Sequence, residues 1–288
     1  MPENSSFKIR PMTGNDLAHA LRLSNEEGWN QTEKDWKLLL ENRDNICIVA
    51  ELNNKVAGTA TALNHSNKVA WIGMVLVDKT LRGHGAGKML LSHIIDRLDH
   101  IQSIKLDATP AGQPLYRSLG FAEEHNIIRM TTASLDYSYF KNFPGEPVVA
   151  DQKKFSSILK LDYSIFGADR RYLLERLFQN NPGKTFFIER DSKPEGYMFY
   201  RDGARFNYIG PVNALSSESA RTLISIALKS LNNQPIALDI LEDKKDLIEW
   251  LESVGFMKQR QFARMYLKSN PYPGIVNYQY LISGPEFG

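Results

Sequence analysis

The chain holds a single cysteine, Cys47, among 288 residues. One thiol excludes an intrachain disulfide framework and any multi-cysteine zinc site. Histidine is sparse as well. Its six copies are scattered, with no i,i+4 pair and no ligand spacing, so no metal is expected. No apolar run is long enough to span a bilayer, and Met1 to Thr13 lacks a secretory leader pattern. The expectation is a cytoplasmic protein with no membrane partner. The formal net charge is only +2, and Lys and Arg do not cluster, so no nucleic-acid partner is expected. Cys47 sits inside the apolar run Ile46 to Leu52 and reads as a small core residue, which argues against a covalent acyl-cysteine route.

Against these absences stands one rich segment, Val75-Leu-Val-Asp-Lys-Thr-Leu-Arg-Gly-His-Gly-Ala-Gly-Lys88. Gly83, Gly85 and Gly87 alternate, which lets the backbone take positive φ and approach a ligand closely. After it, Leu90, Leu91, Ile94, Ile95 and Leu98 fall on one helical face. Before it, Ala70 to Val77 reads as a buried strand. The loop therefore sits at a helix N-terminus, where unpaired N–H groups and the helix dipole favour an anion. Arg82 and Lys88 add positive charge, and Arg82 can offer a two-pronged fork. A Walker A loop would need glycine at position 82 and Ser or Thr at position 89; Arg82 and Met89 stand there. A dinucleotide fingerprint would need glycine at position 88, which is Lys88.

What remains is Arg-x-x-Gly-x-Gly, carried by Arg82, Gly85 and Gly87. It resembles the pyrophosphate loop of the GNAT N-acetyltransferase superfamily. A second motif follows at the family's distance: after Ser103 to Thr109, which reads as a strand, comes Tyr116-Arg-Ser-Leu-Gly-Phe121. Gly120 suits a helix stop and Phe121 opens the next strand.

Thr13 with Asp16 and Thr32 with Asp35 look like capping boxes for two helices ending near Glu27 and Asn42. Ile46 to Leu52 and Val56 to Leu63 form a hairpin across Asn53-Asn54. Leu135 to Pro147 reads as a linker, after which the order of elements begins again. Asp151 and Ser216 are helix caps. Thr185 to Glu189, Glu195 to Tyr200, Ala204 to Val212 and Pro235 to Leu241 are strands, and Val254-Gly-Phe256 matches Leu119-Gly-Phe121. The pattern resembles the tandem-GNAT proteins, and Leu106-Asp-Ala-Thr-Pro-Ala-Gly-x-Pro-Leu-Tyr116, with Phe166-Gly-Ala-Asp-Arg170 and Gly28-Trp-Asn-Gln31, resembles one bacterial branch of them. The fold class is thus α/β with mixed sheets, as two tandem GNAT-like domains, each a mostly antiparallel sheet flanked by helices. A catalytic domain is expected over 1–135 and a degenerate one over 148–288. In the second, Asn213 to Glu218 carries no glycine or arginine, so only the first is expected to bind coenzyme A. The second either helps shape the acceptor pocket or shields the sheet edge of the first. The apolar tail after Tyr272 is expected to pack back on one of them.

The resemblance implies an acetyl-coenzyme-A-dependent N-acetyltransferase, in which the primary amine of a small molecule or peptide attacks the thioester directly in a ternary complex. It implies that Val75, Leu76 and Val77 pair with the pantetheine arm, and that Arg82, Gly83, His84, Gly85, Ala86, Gly87 and Lys88 hold the pyrophosphate. Tyr116 would be the acid that protonates the thiolate. Trp29 and Asn30, in the loop between the first two helices, would touch the acceptor. Asp107, Glu26 and Glu27 are carboxylates open to a base role. A monomer or homodimer is expected. The alternatives are a sensor that binds acyl-coenzyme A without transfer, and an acyltransferase using a longer acyl chain or a hydroxyl acceptor.

Overall fold

Both threonine-led boxes close as the spacing requires. Asp16 returns its carboxylate to the Thr13 N–H at 2.8 Å, and Asp35 to that of Thr32 at 2.7 Å. The structure, a computed structural model, describes residues 6–135 and 147–288. The linker expected between Leu135 and Pro147 lies, apart from its ends, outside the described residues.

In the first half, β1 (Lys8–Pro11) precedes α1 (Leu17–Glu26) and α2 (Glu33–Glu41). Three antiparallel strands follow: β2 (Ile46–Leu52), β3 (Lys55–His65) and β4 (Val69–Val77). Asn53 and Asn54 turn the first hairpin with positive φ, which short polar side chains tolerate. Then come α3 (Ala86–Arg97), β5 (Ser103–Ala108), α4 (Gln113–Ser118) and β6 (Ala122–Thr132). The second half repeats the order with β7 (Val148–Val149), α5 (Gln152–Phe166), α6 (Arg171–Asn180), β8 (Thr185–Arg190), β9 (Lys193–Arg201) and β10 (Asn207–Ala214). It continues with α7 (Ser217–Ser230), β11 (Ile236–Leu241), α8 (Lys245–Ser253) and β12 (Met257–Lys268), and adds a short strand, β13 (Gln279–Leu281).

The two domain sheets are joined edge to edge, and the junction is an exchange. Among the described residues a single sheet runs β1-β2-β3-β4-β5-β12-β6-β11-β13-β10-β9-β8-β7. Strand β12, from the second half, lies between β5 and β6 of the first; β6 in turn lies beside β11 of the second. The alternation of a strand tells which face is buried, and says nothing about which neighbour it meets.

The exchange carries two buried ion pairs in register. Arg264 on β12 grips Asp107 on β5 through Nε at 2.8 Å and Nη2 at 3.0 Å. Arg129 on β6 grips Asp239 on β11 through Nε at 2.8 Å and Nη2 at 2.6 Å. Each Arg follows its Gly-Phe dipeptide at the same interval, and each Asp follows a leucine on the equivalent strand, so the two forks are counterparts. Helices α1, α2, α5 and α6 cover one face over a core common to both halves, from Trp36 and Leu63 through Phe155 and Tyr197 to the fully buried Phe287. On the other face, α3 covers the first half and α7 with α8 the second. No helix among the described residues is long and apolar enough to cross a membrane.

A fork that is buried is costly to break on one side only, because the remaining charge loses its partner. Arg264→Met is expected to cost about 3–5 kcal/mol in urea unfolding. Asp107→Leu with Arg264→Met should recover most of that loss. Equal costs for the single and double variants would show that the pair does not couple the halves.

Candidate active site

Strand β4 sets the geometry. It pairs in parallel with β5 only from Val69 to Trp71, opposite Ser103 to Lys105, and then the two part. The cause is a bulge at Met74, which takes φ of 52° and shifts the register against β3 between Thr59 and Thr61. The buried hydroxyls of Thr59 and Thr61 repair the ladder by donating to the carbonyls of Met74 (2.8 Å) and Gly73 (3.1 Å). A wedge opens between Val75 to Val77 and the end of β5.

The glycine loop closes one end of this wedge. Gly83 and Gly85 have φ of 79° and 87°, and Gly85 is the left-handed N-cap of α3. No side chain caps it, so the amides of Ala86, Gly87 and Lys88 point out of the first turn without an intrahelical acceptor. Val75, Leu76, Val77, Arg82, Gly83, Gly85, Ala86, Gly87 and Lys88 all line one crevice, with Thr109, Pro110, Leu115 and Tyr116 opposite.

Three expectations about the loop change in detail. Gly87 lies inside α3 with ordinary helical φ, and a Cβ there would make only ordinary contacts with Val77 and Leu115, so the fold requires no glycine at that position. The Arg82 fork is engaged: Nη2 donates to Glu27 at 2.5 Å and Nε to the Val77 carbonyl at 3.2 Å. His84 is not among the lining residues; its Nδ1 rests 2.9 Å from the Arg82 carbonyl oxygen.

A smaller cavity opens off the crevice. Trp29, Val75, Thr109, Tyr116 and Arg260 line both spaces and form their junction. Tyr116 stands there edge-on to Phe121, and burial pushes its phenol up to about 12, so it stays protonated through neutral pH. The rest of the cavity draws on both halves: Gln31, Gly73 and Asp107 from the first, and Phe262, Pro285 and Glu286 from the second.

The second half has the same split, filled differently. Strands β10 and β11 pair in parallel from Asn207 to Ile209, then separate, and β13 inserts between them. The tail beyond β13 crosses to the first half. Arg170 donates to Ser283 Oγ (3.2 Å) and to the Gly288 carbonyl (2.9 Å), and the Trp71 indole donates to the Pro285 carbonyl (3.1 Å).

Two family models match this architecture: the acetyltransferase (GNAT) family over residues 15–121 and an acetyltransferase (GNAT) domain over 158–281. The chain is a tandem-domain GNAT protein. It is an enzyme of the N-acetyltransferase class. It is 26% identical over 240 residues to the uncharacterised N-acetyltransferase YitH of Bacillus subtilis, covering 83% of each chain. It is 22% identical over 253 residues to the holothin acyltransferase of a Pseudoalteromonas species, covering 84% of each. A proposed acetyltransferase from Pyrococcus horikoshii superposes with a TM-score of 0.82 at 22% identity, over 100% of this chain and 99% of that one. A tandem GNAT protein of the clavulanic acid pathway superposes with a TM-score of 0.65 at 11% identity, over 92% and 99%.

Within this GNAT enzyme the two acceptor candidates part company. Trp29 lines the cavity. Asn30 does not: its Oδ1 accepts from the amides of Arg205 and Phe206, both at 2.9 Å, and its Nδ2 donates to the Phe206 carbonyl at 3.0 Å. It clamps the two halves together and lies outside the cavity lining. The carboxylates weighed as bases are committed too. Asp107 faces the cavity but gives both oxygens to Arg264, Glu27 is paired with Arg82, and Glu26 with Arg22. Cys47 is partly buried against the core, and burial pushes its thiol up to about 12. Arg260, Phe262 and Glu286 carry no local motif, and Gln31 only closes the string Gly28-Trp-Asn-Gln31; the fold gathers them.

Asn30→Ala should therefore lower stability by about 1–3 kcal/mol through its lost hydrogen bonds. The folded variant should keep the wild-type KM for amine. A large KM change at unchanged melting temperature would restore Asn30 to the acceptor site.

Proposed function

We propose that this enzyme transfers an acetyl group from acetyl-coenzyme A to a primary amine of a small molecule or peptide, by direct attack within a ternary complex. The observation that carries the proposal is the junction at Tyr116. A wedge with a cationic, amide-lined loop meets a smaller cavity there, and Tyr116 lines both. The GNAT family generally uses acetyl-coenzyme A, and the residues present suit it. The amides of Ala86 to Lys88, with Lys88 and the dipole of α3, would hold the diphosphate. The unpaired edge of Val75 to Val77 would accept the pantetheine arm as an added strand.

The co-substrate brings an activated acetyl group and a thiol leaving group. The chain's own part is positioning and proton transfer. A backbone N–H at the β4 bulge would stabilise charge developing on the carbonyl oxygen. Tyr116, held neutral by burial, would give its proton to the departing sulfur. The second domain's split is already filled by β13, so we propose one coenzyme A per chain.

Calorimetry with coenzyme A should give one site. Gly85→Ala should weaken that binding and cost about 1 kcal/mol of stability, since alanine disfavours the left-handed cap. Tyr116→Phe should lower kcat by about 10- to 100-fold at unchanged coenzyme A affinity. Release of free coenzyme A from a series of acyl donors with a panel of primary amines tests the whole reading. Binding without any amine-dependent release would leave only a sensor.

A further inference from the structure

Two residues of the cavity wall each hold a buried oxygen that accepts no hydrogen bond from any described residue: Oε2 of Glu286 and Oε1 of Gln31. Both residues are nearly out of solvent, at 4% and 6% exposed. Such atoms are costly to leave unsatisfied, and two of them on one cavity point to a ligand rich in N–H donors. A primary ammonium carries three N–H donors and no acceptor. Beside the Asp239-paired Arg129 and Arg260, the wall has an apolar and aromatic part from Trp29, Ile72, Leu106 and Phe262, which suits an amine borne on an apolar body.

We infer that Glu286 Oε2 and Gln31 Oε1 receive the acceptor's ammonium group, and that Glu286 is the base that takes its proton. The assignment rests on the N-acetyltransferase reading above. Glu286 is fixed for the task. Its Oε1 accepts from Arg201 Nη2 at 3.0 Å, and Arg201 Nε lies 3.3 Å from Asp35 Oδ1 in the capping box of α2. Its backbone lies directly on β4 beside the bulge: a Cβ on Gly73 would stand 2.9 Å from Glu286 Cα. The carboxylate itself turns back over the tail, where a Cβ on Gly284 would stand 2.8 Å from either oxygen.

The ammonium gives one proton to Glu286, and the neutral amine forms the C–N bond. As the C–S bond breaks, Tyr116 protonates the sulfur and regains a proton from the new amide nitrogen. Glu286 then releases its proton to solvent, so one proton leaves per amide formed.

The charged groups around Glu286 are Arg201 on β9, Asp35 on α2 and Arg129 on β6, the last paired with Asp239. Arg260, Tyr116 and the Asp107–Arg264 pair share the cavity. Burial outweighs the two nearest cations and raises the carboxyl of Glu286 above the ordinary range. A base must be deprotonated to act, so activity should fall as the pH drops through that raised value.

The test uses the full chain, acetyl-coenzyme A and a panel of alkylamines, arylalkylamines, amino-acid esters and short peptides. Glu286→Gln, which keeps the Arg201 contact, should lower kcat by about 100-fold or more on the amine that wild type acetylates best. It should lose the acid limb of the pH–rate profile while coenzyme A affinity stays unchanged. Gln31→Met should raise the KM for that amine about tenfold with little change in kcat, whether or not the first variant folds. Wild-type rates and pH profile in a folded Glu286→Gln, or an unchanged KM in Gln31→Met, would overturn this assignment and leave the acetyltransferase reading standing. A wild type that acetylates no amine would overturn both.

Discussion

The site depends on the reciprocal Arg–Asp forks at the seam, Arg264 with Asp107 and Arg129 with Asp239. Each side chain comes from a different half than its partner, and both pairs are buried. Buried ions add little net stability when paired, yet they penalise every arrangement that separates them. The forks therefore act on register more than on stability: they fix Arg264 opposite Asp107 and Arg129 opposite Asp239 across the seam. Aromatic faces fix the guanidinium planes, with Arg264 4.4 Å from the centre of Trp71 and Arg129 5.3 Å from Phe262. One consequence follows for the halves. Without β12, the first would expose facing edges of β5 and β6 and lose Arg260 and Phe262 from its cavity.

The two halves meet the same structural problem with different solutions. A bulged fourth strand that parts from the fifth leaves backbone groups in the wedge without ladder partners. In the second half the chain answers itself, with β13 in the gap. Once there, the following residues lie within reach of the first half, where Phe287 enters the shared core and Glu286 reaches the other cavity. The same segment that closes one split thus furnishes a wall beside the other. A duplicated fold gains in this way a residue that neither half would place alone.

Local chemistry was legible in the letters, and long-range pairing was not. The capping boxes at Thr13 and Thr32, the hairpin at Asn53, the loop at Gly83 and Gly85 and the helix of Tyr116 all depend on neighbours within a few residues. Asn30 had a sound local address beside Trp29, but its amide was claimed by residues 204–206 across the molecule. Asp107 was open to core or cleft, and Arg264 took both its oxygens. Aligning the repeats on Gly120-Phe121 and Gly255-Phe256 would have set Arg129 against Arg264 and Asp107 against Asp239. That alignment would have shown equivalence and not exchange, because strand patterning specifies faces and not neighbours.

Two carboxylates on one wall show how such a fold sorts chemical roles. Asp107 and Glu286 are both buried, both raised by desolvation and both beside an arginine. The difference is how many oxygens the arginine takes. Arg264 meets Asp107 with a full fork, which leaves no oxygen turned toward a ligand. Arg201 divides its attention between Asp35 and Glu286 and binds only one oxygen of the latter. A guanidinium that is shared holds a carboxylate in place without consuming it. The capping aspartate of α2, legible as a cap from its spacing alone, thus sets the state of a residue at the far end of the chain.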